Sequence, residues 1–207
     1  LSTPTQTQER YIIKSSVDEL AVFVNDLAEG PVRWLSLLTV GQVLYLAEHY
    51  DDALITFDSA LSLLQSLDPD PKQIAATYFY SGAAYYYRSE WPEAIEYYQR
   101  ALTTYRDVAD RPAQGATLGN LGVAYADLGQ VRTAIHYHEQ ALAIKQELGE
   151  RHSEANQLAN LGVAYALLGE VHTAIDYFDQ ALGIALQLGD QCIESGLRGN
   201  LGNAYAD

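Results

Sequence analysis

The string Asn120 to Tyr125, Asn-Leu-Gly-Val-Ala-Tyr, returns unchanged at Asn160 to Tyr165 and as Asn-Leu-Gly-Asn-Ala-Tyr at Asn200 to Tyr205, at the same interval each time. A fixed period of this length predicts a stack of like units, none of which can bury its apolar face without a neighbour. Going back from Gly122 by the same interval reaches Gly82, and a further step, longer by one, reaches Gly41, with Tyr85 and Leu44 in the column of Tyr125. The other half of the unit repeats in phase. Ala53 and Phe57, Ala94 and Tyr98, Ala134 and His138, and Ala174 and Phe178 are each followed by a further alanine, at Ala60, Ala101, Ala141 or Ala181. The chain therefore holds four full units and the first half of a fifth.

Within a unit the apolar spacing is helical. Leu118, Leu121, Gly122 and Tyr125 share one face, and Ala134, Ile135, Ala141, Leu142 and Ile144 share another, with Tyr137 read as outward. Two helices per unit follow. First helices are predicted near 31–47, 73–88, 112–127, 152–167 and 191–206, and second helices near 51–66, 92–108, 131–148 and 171–188. Gly129, Gly149, Gly169 and Gly189 fall where a helix ends in a left-handed residue, which glycine adopts at least cost. Pro31 and Pro92 suit a first helical turn, whereas Pro69 and Pro71 read as filling the loop between units. Small residues at Gly82, Gly122 and Gly162 and at Ala94, Ala134 and Ala174 should let paired helices cross closely.

These columns resemble the tetratricopeptide repeat, whose pattern is a large residue, Leu-Gly, Tyr, Ala with an aromatic four residues on, and Ala again. Leu118, Leu121, Gly122, Tyr125, Ala134, His138 and Ala141 fit it, and Leu158, Leu161, Gly162, Tyr165, Ala174, Phe178 and Ala181 fit it again. The usual unit is about 34 residues with a proline after the second helix. Here the second helix runs on to Leu-Gly-Glu at 148–150 or Leu-Gly-Asp at 188–190. That longer form is similar to the repeats of Pins-type adaptors and kinesin light chains, and to bacterial arrays carried on signalling or STAND-type ATPases. The resemblance implies an all-α, right-handed superhelix of stacked antiparallel helix pairs, an α-solenoid with first helices on its inner wall. Residues 31–207 would form the array, and residues 1–30 a leader with an amphipathic helix over 16–29 built on Val17, Leu20, Ala21, Val24 and Leu27.

The inner wall carries the functional expectation. A merely solvated helix face should bear Lys, Glu and Arg. On a helical wheel the outward positions of the third repeat are instead Ala116, Gly119, Asn120, Val123, Ala126 and Asp127, and those of the fourth are Asn156, Ala159, Asn160, Val163, Ala166 and Leu167. The fifth shows Gly196, Gly199, Asn200, Asn203, Ala206 and Asp207. Asn120, Asn160 and Asn200 thus form a ladder. Packed helices lie about 8–10 Å apart and an extended chain advances about 3.3 Å per residue, so successive rungs would meet a bound peptide about every third residue. An amide offers a donor and an acceptor and can bracket a peptide bond whatever the side chain. The resemblance implies the same use, since asparagines in this column clamp peptide backbones in related adaptors. In the second repeat Phe79, Tyr80, Ala83, Tyr86 and Tyr87 face the same wall, and in the first Leu35, Leu38, Thr39, Gln42, Tyr45 and Leu46 do. Tyr80, Tyr86 and Tyr87 are candidate anchors, while Leu35 and Leu38 could equally be covered by the leader.

Composition narrows the function. With 12 Lys+Arg against 27 Asp+Glu the net charge is −15, which repels phosphate backbones and anionic membrane surfaces and favours a partner with some basic residues. The single cysteine, Cys192, has no intramolecular disulfide partner, and no apolar run approaches the ~20 residues of a membrane span. A cytoplasmic protein is expected. His136 and His138 are two apart on a helix and cannot share a metal, and no phosphate-binding loop or acid, base and nucleophile cluster is present, so neither cofactor, metal nor enzyme activity is expected. The expectation is a protein-interaction scaffold that holds an extended peptide in its groove; the alternative is a sensor arm of a larger ATPase or transcription regulator that engages its own chain. With Leu1 first and no methionine, the sequence is expected to be a piece of a longer protein, whose last helix would self-associate through Leu201, Ala204 and Tyr205.

Overall fold

Joints of two or three residues dictate the architecture, because a helix that stops and restarts so quickly must double back on itself. In the computed structural model, which describes residues 31–63 and 70–205, seven joints use one device. A residue with positive φ ends the helix, and the next residue's N–H donates to the carbonyl five residues back, as in Gln130 to Tyr125 at 2.8 Å and Asp190 to Ala185 at 3.0 Å. Gly129, Gly149, Gly169 and Gly189 take that role as expected, with φ of 81°, 68°, 77° and 69°. Glu48, Ser89 and Ala109 take it in the earlier joints, at 62°, 63° and 54°, which the sequence did not reveal.

The helices are α1 (Pro31–Leu46), α2 (Tyr50–Leu63), α3 (Pro71–Tyr87), α4 (Trp91–Asp107), α5 (Arg111–Asp127), α6 (Val131–Glu147), α7 (Arg151–Leu167), α8 (Val171–Leu188) and α9 (Gln191–Ala204). No strand occurs among the described residues. The fold class is all-α, stacked helix pairs. Pro71 opens α3 instead of lying in a loop, since a first-turn residue needs no N–H and Asp70 caps the turn by accepting from the Lys72 N–H at 3.0 Å. Asp110 and Asp190 cap α5 and α9 likewise. The leader helix expected over 16–29 and the ends expected at 64–66 and 206 lie outside the described residues.

The chain divides into two compact bodies, Leu1–Thr104 and Tyr105–Asp207. In the first, Leu37, Leu38, Val40, Leu44, Ala53, Phe57 and Ala60 form a core. Leu38 is only 5% exposed and belongs to that core, clustered with Ala53, Phe57 and Ala60 of the following helix, rather than to an inner-wall surface. In the second body Leu158, Phe178, Ala181, Ile184, Leu197 and Leu201 join α7, α8 and α9.

The glycine column works by hosting a ring. A Cβ at Gly162 would stand 2.5 Å from the Phe178 ring, one at Gly122 2.5 Å from His138, and one at Gly82 2.8 Å from Tyr98. Phe57 lies against Gly41 in the same way. Tyr137, read as outward, is half-buried and stacks on Tyr125, with centroids 5.2 Å apart and planes 6° from parallel. Tyr177 repeats this on Tyr165 at 5.3 Å and 8°, and Tyr97 stacks on Tyr85. The correction has a simple cause: the start of each second helix leans on the end of the first, so a side chain beside the core stripe finds a flat partner.

Candidate functional site

In the second body α5, α7 and α9 present the asparagine column. Asn120, Asn160 and Asn200 are all half-buried, so each amide is held by its helix with part of its surface open. Asn156, one turn before Asn160, is exposed, and its Nδ2 lies 3.5 Å from His152 Nδ1. His152 in turn reaches Asp190 at 2.8 Å. The backbone N–H of Ile193, together with His152, holds the Asp190 carboxyl below the usual carboxylate range, so the start of α9 is tied to the start of α7. Val123 is half-buried, while Asp127 is exposed. Val163 and Leu167, four residues apart on α7, are 42% and 62% exposed.

Between α7 and α9 lies a hollow of ≈ 250 Å³, lined by Val163, Ala166, Leu167, Val171, Phe178, Asn200, Asn203 and Ala204. It brings the expected Val163 and Asn200 together and adds three residues that the wheel did not assign to the face. Val171 opens α8, and Phe178 and Ala204 belong to core stripes, so periodicity offers no signal that they also border an open space. Gly119 departs from expectation. It is buried beneath Gln157, whose Nε2 would lie 2.8 Å from a Cβ there, so it serves α5–α7 contact and not the open face.

Gln157 also reaches the one polar side chain in the aromatic column. Its Oε1 lies 2.9 Å from His138 Nδ1. His138 is 2% exposed, and burial pushes its pKa below the ordinary value, with the Gln157 contact opposing. The packed role expected for His138 is what the structure shows. Among the described residues no group of three or more His, Cys, Asp or Glu is placed to hold a metal ion, and no helix is long and apolar enough to cross a membrane.

In the first body Tyr80, Tyr86 and Tyr87 sit on α3. Tyr80 is half-buried, its ring edge-on to Tyr45 at 5.7 Å and also beside Phe57 and Phe79. Tyr87 is 57% exposed and stacks on Tyr50 at 5.3 Å. Tyr86 is half-buried and edge-on to Tyr87. Burial, then the neighbouring Tyr87 hydroxyl, pushes the Tyr45 phenol well above its usual range. These rings form one intramolecular cluster with an exposed edge at Tyr87. Ala83 is buried beneath them.

The ring-on-glycine pairing and doubled-back joints recur in step with the sequence columns. The family model for the tetratricopeptide repeat matches residues 73–147 and 114–187. That is more than half of the chain, which belongs to the tetratricopeptide repeat family. Such repeats generally mediate protein–protein interaction. No curated protein matches the sequence. Among solved structures, the fold is similar to BtubC (BKLC) from P. vanneervenii, with a TM-score of 0.81, 22% identity and coverage of 99% of this chain and 84% of that one. The apo form of RapI gives 0.82 at 18% identity, over 96% of this chain and 56% of that one. A Signal Transduction ATPase with Numerous Domains from Pyrococcus horikoshii, which carries a tetratricopeptide repeat sensor, gives 0.81 at 17% identity over 96% of this chain and 31% of that one. At these identities the likeness concerns the fold.

Proposed function

We propose that the chain is a cytoplasmic interaction scaffold that holds an extended peptide segment of a partner protein against α5, α7 and α9. The observation that carries this is the Asn120, Asn160, Asn200 column, whose amides are half-buried on three successive first helices and flanked by Ala, Val and Gly instead of the long charged side chains of a solvated face. Half-burial favours the role. It limits the side-chain entropy lost on binding, and an amide carries enough donors and lone pairs to serve a neighbour and a peptide bond together. Asp127, exposed on α5, favours a basic residue in the ligand. Asn156 and Val123 extend the same surface. Tyr87, with Tyr80 and Tyr86 behind it, offers an aromatic edge in the first body.

The test is a partner recovered with the full chain, mapped to a peptide and titrated by fluorescence anisotropy. Each lost amide contact is worth about 1 kcal/mol net, so Asn120→Ala with Asn160→Ala should weaken binding on the order of 30-fold while the helical circular dichroism and unfolding midpoint stay in place. Unchanged affinity would sink the proposal. The likeness to a structure with a tetratricopeptide repeat sensor supports a second reading, a sensor arm engaging its own polypeptide. Mapping decides it by whether the saturating peptide comes from the same polypeptide or another.

A further inference from the structure

The hollow between α7 and α9 has a chemistry that the asparagine column alone does not specify. Its walls are Val163, Ala166, Leu167, Val171, Phe178 and Ala204, and among the described residues its polar groups are the amides of Asn200 and Asn203. No charged side chain among the described residues lines it. At ≈ 250 Å³ it falls below the roughly 300–1,000 Å³ of sites that enclose a drug-sized molecule, so it suits one side chain of a longer ligand. Val163 and Leu167 are also among the few large aliphatic residues left exposed in the described part of the second body, at 42% and 62%.

The repeat supplies an internal control. One repeat earlier, Val123, Ala126 and Val131 keep the character of Val163, Ala166 and Val171. Three lining positions differ: the aliphatic Leu167 is replaced by Asp127, which is exposed, Phe178 by His138, and Asn203 by Val163. The same position on two successive first helices is therefore acidic on α5 and aliphatic on α7. Neighbouring helices about 8–10 Å apart and a strand rise of about 3.3 Å place the ligand residues that meet them about three positions apart.

We propose that this hollow is the seat of one uncharged aliphatic side chain of a bound peptide, and that Asp127 selects a Lys or Arg about three residues from it. The proposal rests on the peptide-groove reading above and adds to it which residues the ligand must carry. Asn200 at the rim holds the ligand's main chain while the aliphatic side chain enters between α7 and α9.

The test is selection of a displayed random nine-residue peptide library on the full chain, followed by affinity measurement of the enriched peptides. Enriched peptides should share an aliphatic residue and a Lys or Arg about three positions apart. Leu167→Asp, at an exposed position where the fold is not at stake, should lower their affinity at least tenfold and shift selection toward a second basic residue. Asp127→Leu should remove the basic preference and leave the aliphatic one. Peptides that lose affinity with Asn160→Ala and Asn200→Ala but share no aliphatic and basic pair, or that ignore Leu167→Asp, overturn this proposal and leave the groove reading standing. Peptides that ignore all four substitutions, or a library that yields none, overturn both.

Discussion

One substitution made twice in the same column separates sequence consensus from structural cause. Gly162→Ala places a methyl group 2.5 and 2.6 Å from Cε1 and Cδ1 of Phe178, a ring 2% exposed that would have to shift. Overpacking of this kind costs typically 1–3 kcal/mol. Gly202→Ala is the same change one repeat later, yet no neighbouring described atom lies within 4 Å of its Cβ position. Both changes gain the helix preference of alanine over glycine, about 1 kcal/mol. That gain cancels in the comparison, so Gly162→Ala should be about 1–3 kcal/mol less stable than Gly202→Ala, which should itself exceed the parent. Urea midpoints measured for the two variants side by side give the difference, and amide exchange in α7, α8 and α9 localises it, since repeat arrays need not unfold as one unit. Equal shifts of both midpoints in the same direction would refute the idea that ring contact, and not glycine as such, sets the column.

The left-handed joints that lack glycine offer a gain. Ser89 and Ala109 sit at φ of 63° and 54°, a conformation costing roughly 1–2 kcal/mol for a residue with a Cβ, so Ser89→Gly and Ala109→Gly should each raise the urea midpoint, and a fall in either would show that the joint is not strained. His138 confers a pH dependence whose direction follows from burial. Its folded pKa lies below the ordinary 6.5, so the unfolded chain takes up the proton first, the stability is fully present above about pH 6.5, and it declines as pH falls below that. His138→Phe, the residue type found at Phe57 and Phe178, should lose less stability between about pH 7.5 and 5.5 than the parent; an equal loss would assign the pH dependence elsewhere.

The helices and their pairing were legible because the signals are local and repeated. Asn-Leu-Gly strings in three successive repeats, the alanine pairs and the glycines from Gly129 to Gly189 each report backbone geometry through residue type, and in-phase recurrence makes accident implausible. The joints at Glu48, Ser89 and Ala109 escaped notice because none carries the glycine that usually marks the left-handed state. Asn120, Asn160 and Asn200 could be placed on one face from a wheel, but a wheel gives direction and not depth. It put Gly119 on the open face, where Gln157 in fact covers it, and Tyr137 outside, where Tyr125 stacks on it.

The sequence by itself determined the unit, its two helices, the residues that let them cross and a wall poor in charge, since each follows from short-range periodicity and from the spacing of small residues. Tertiary structure alone decided what occupies the space beside them. Whether a glycine hosts a ring, as Gly162 does beneath Phe178, or lies beneath an amide, as Gly119 does beneath Gln157, depends on which helix arrives opposite. The hollow bordered by Val163, Leu167, Val171 and Asn200 likewise exists only where three helices meet, a relation between distant segments that no single helix encodes.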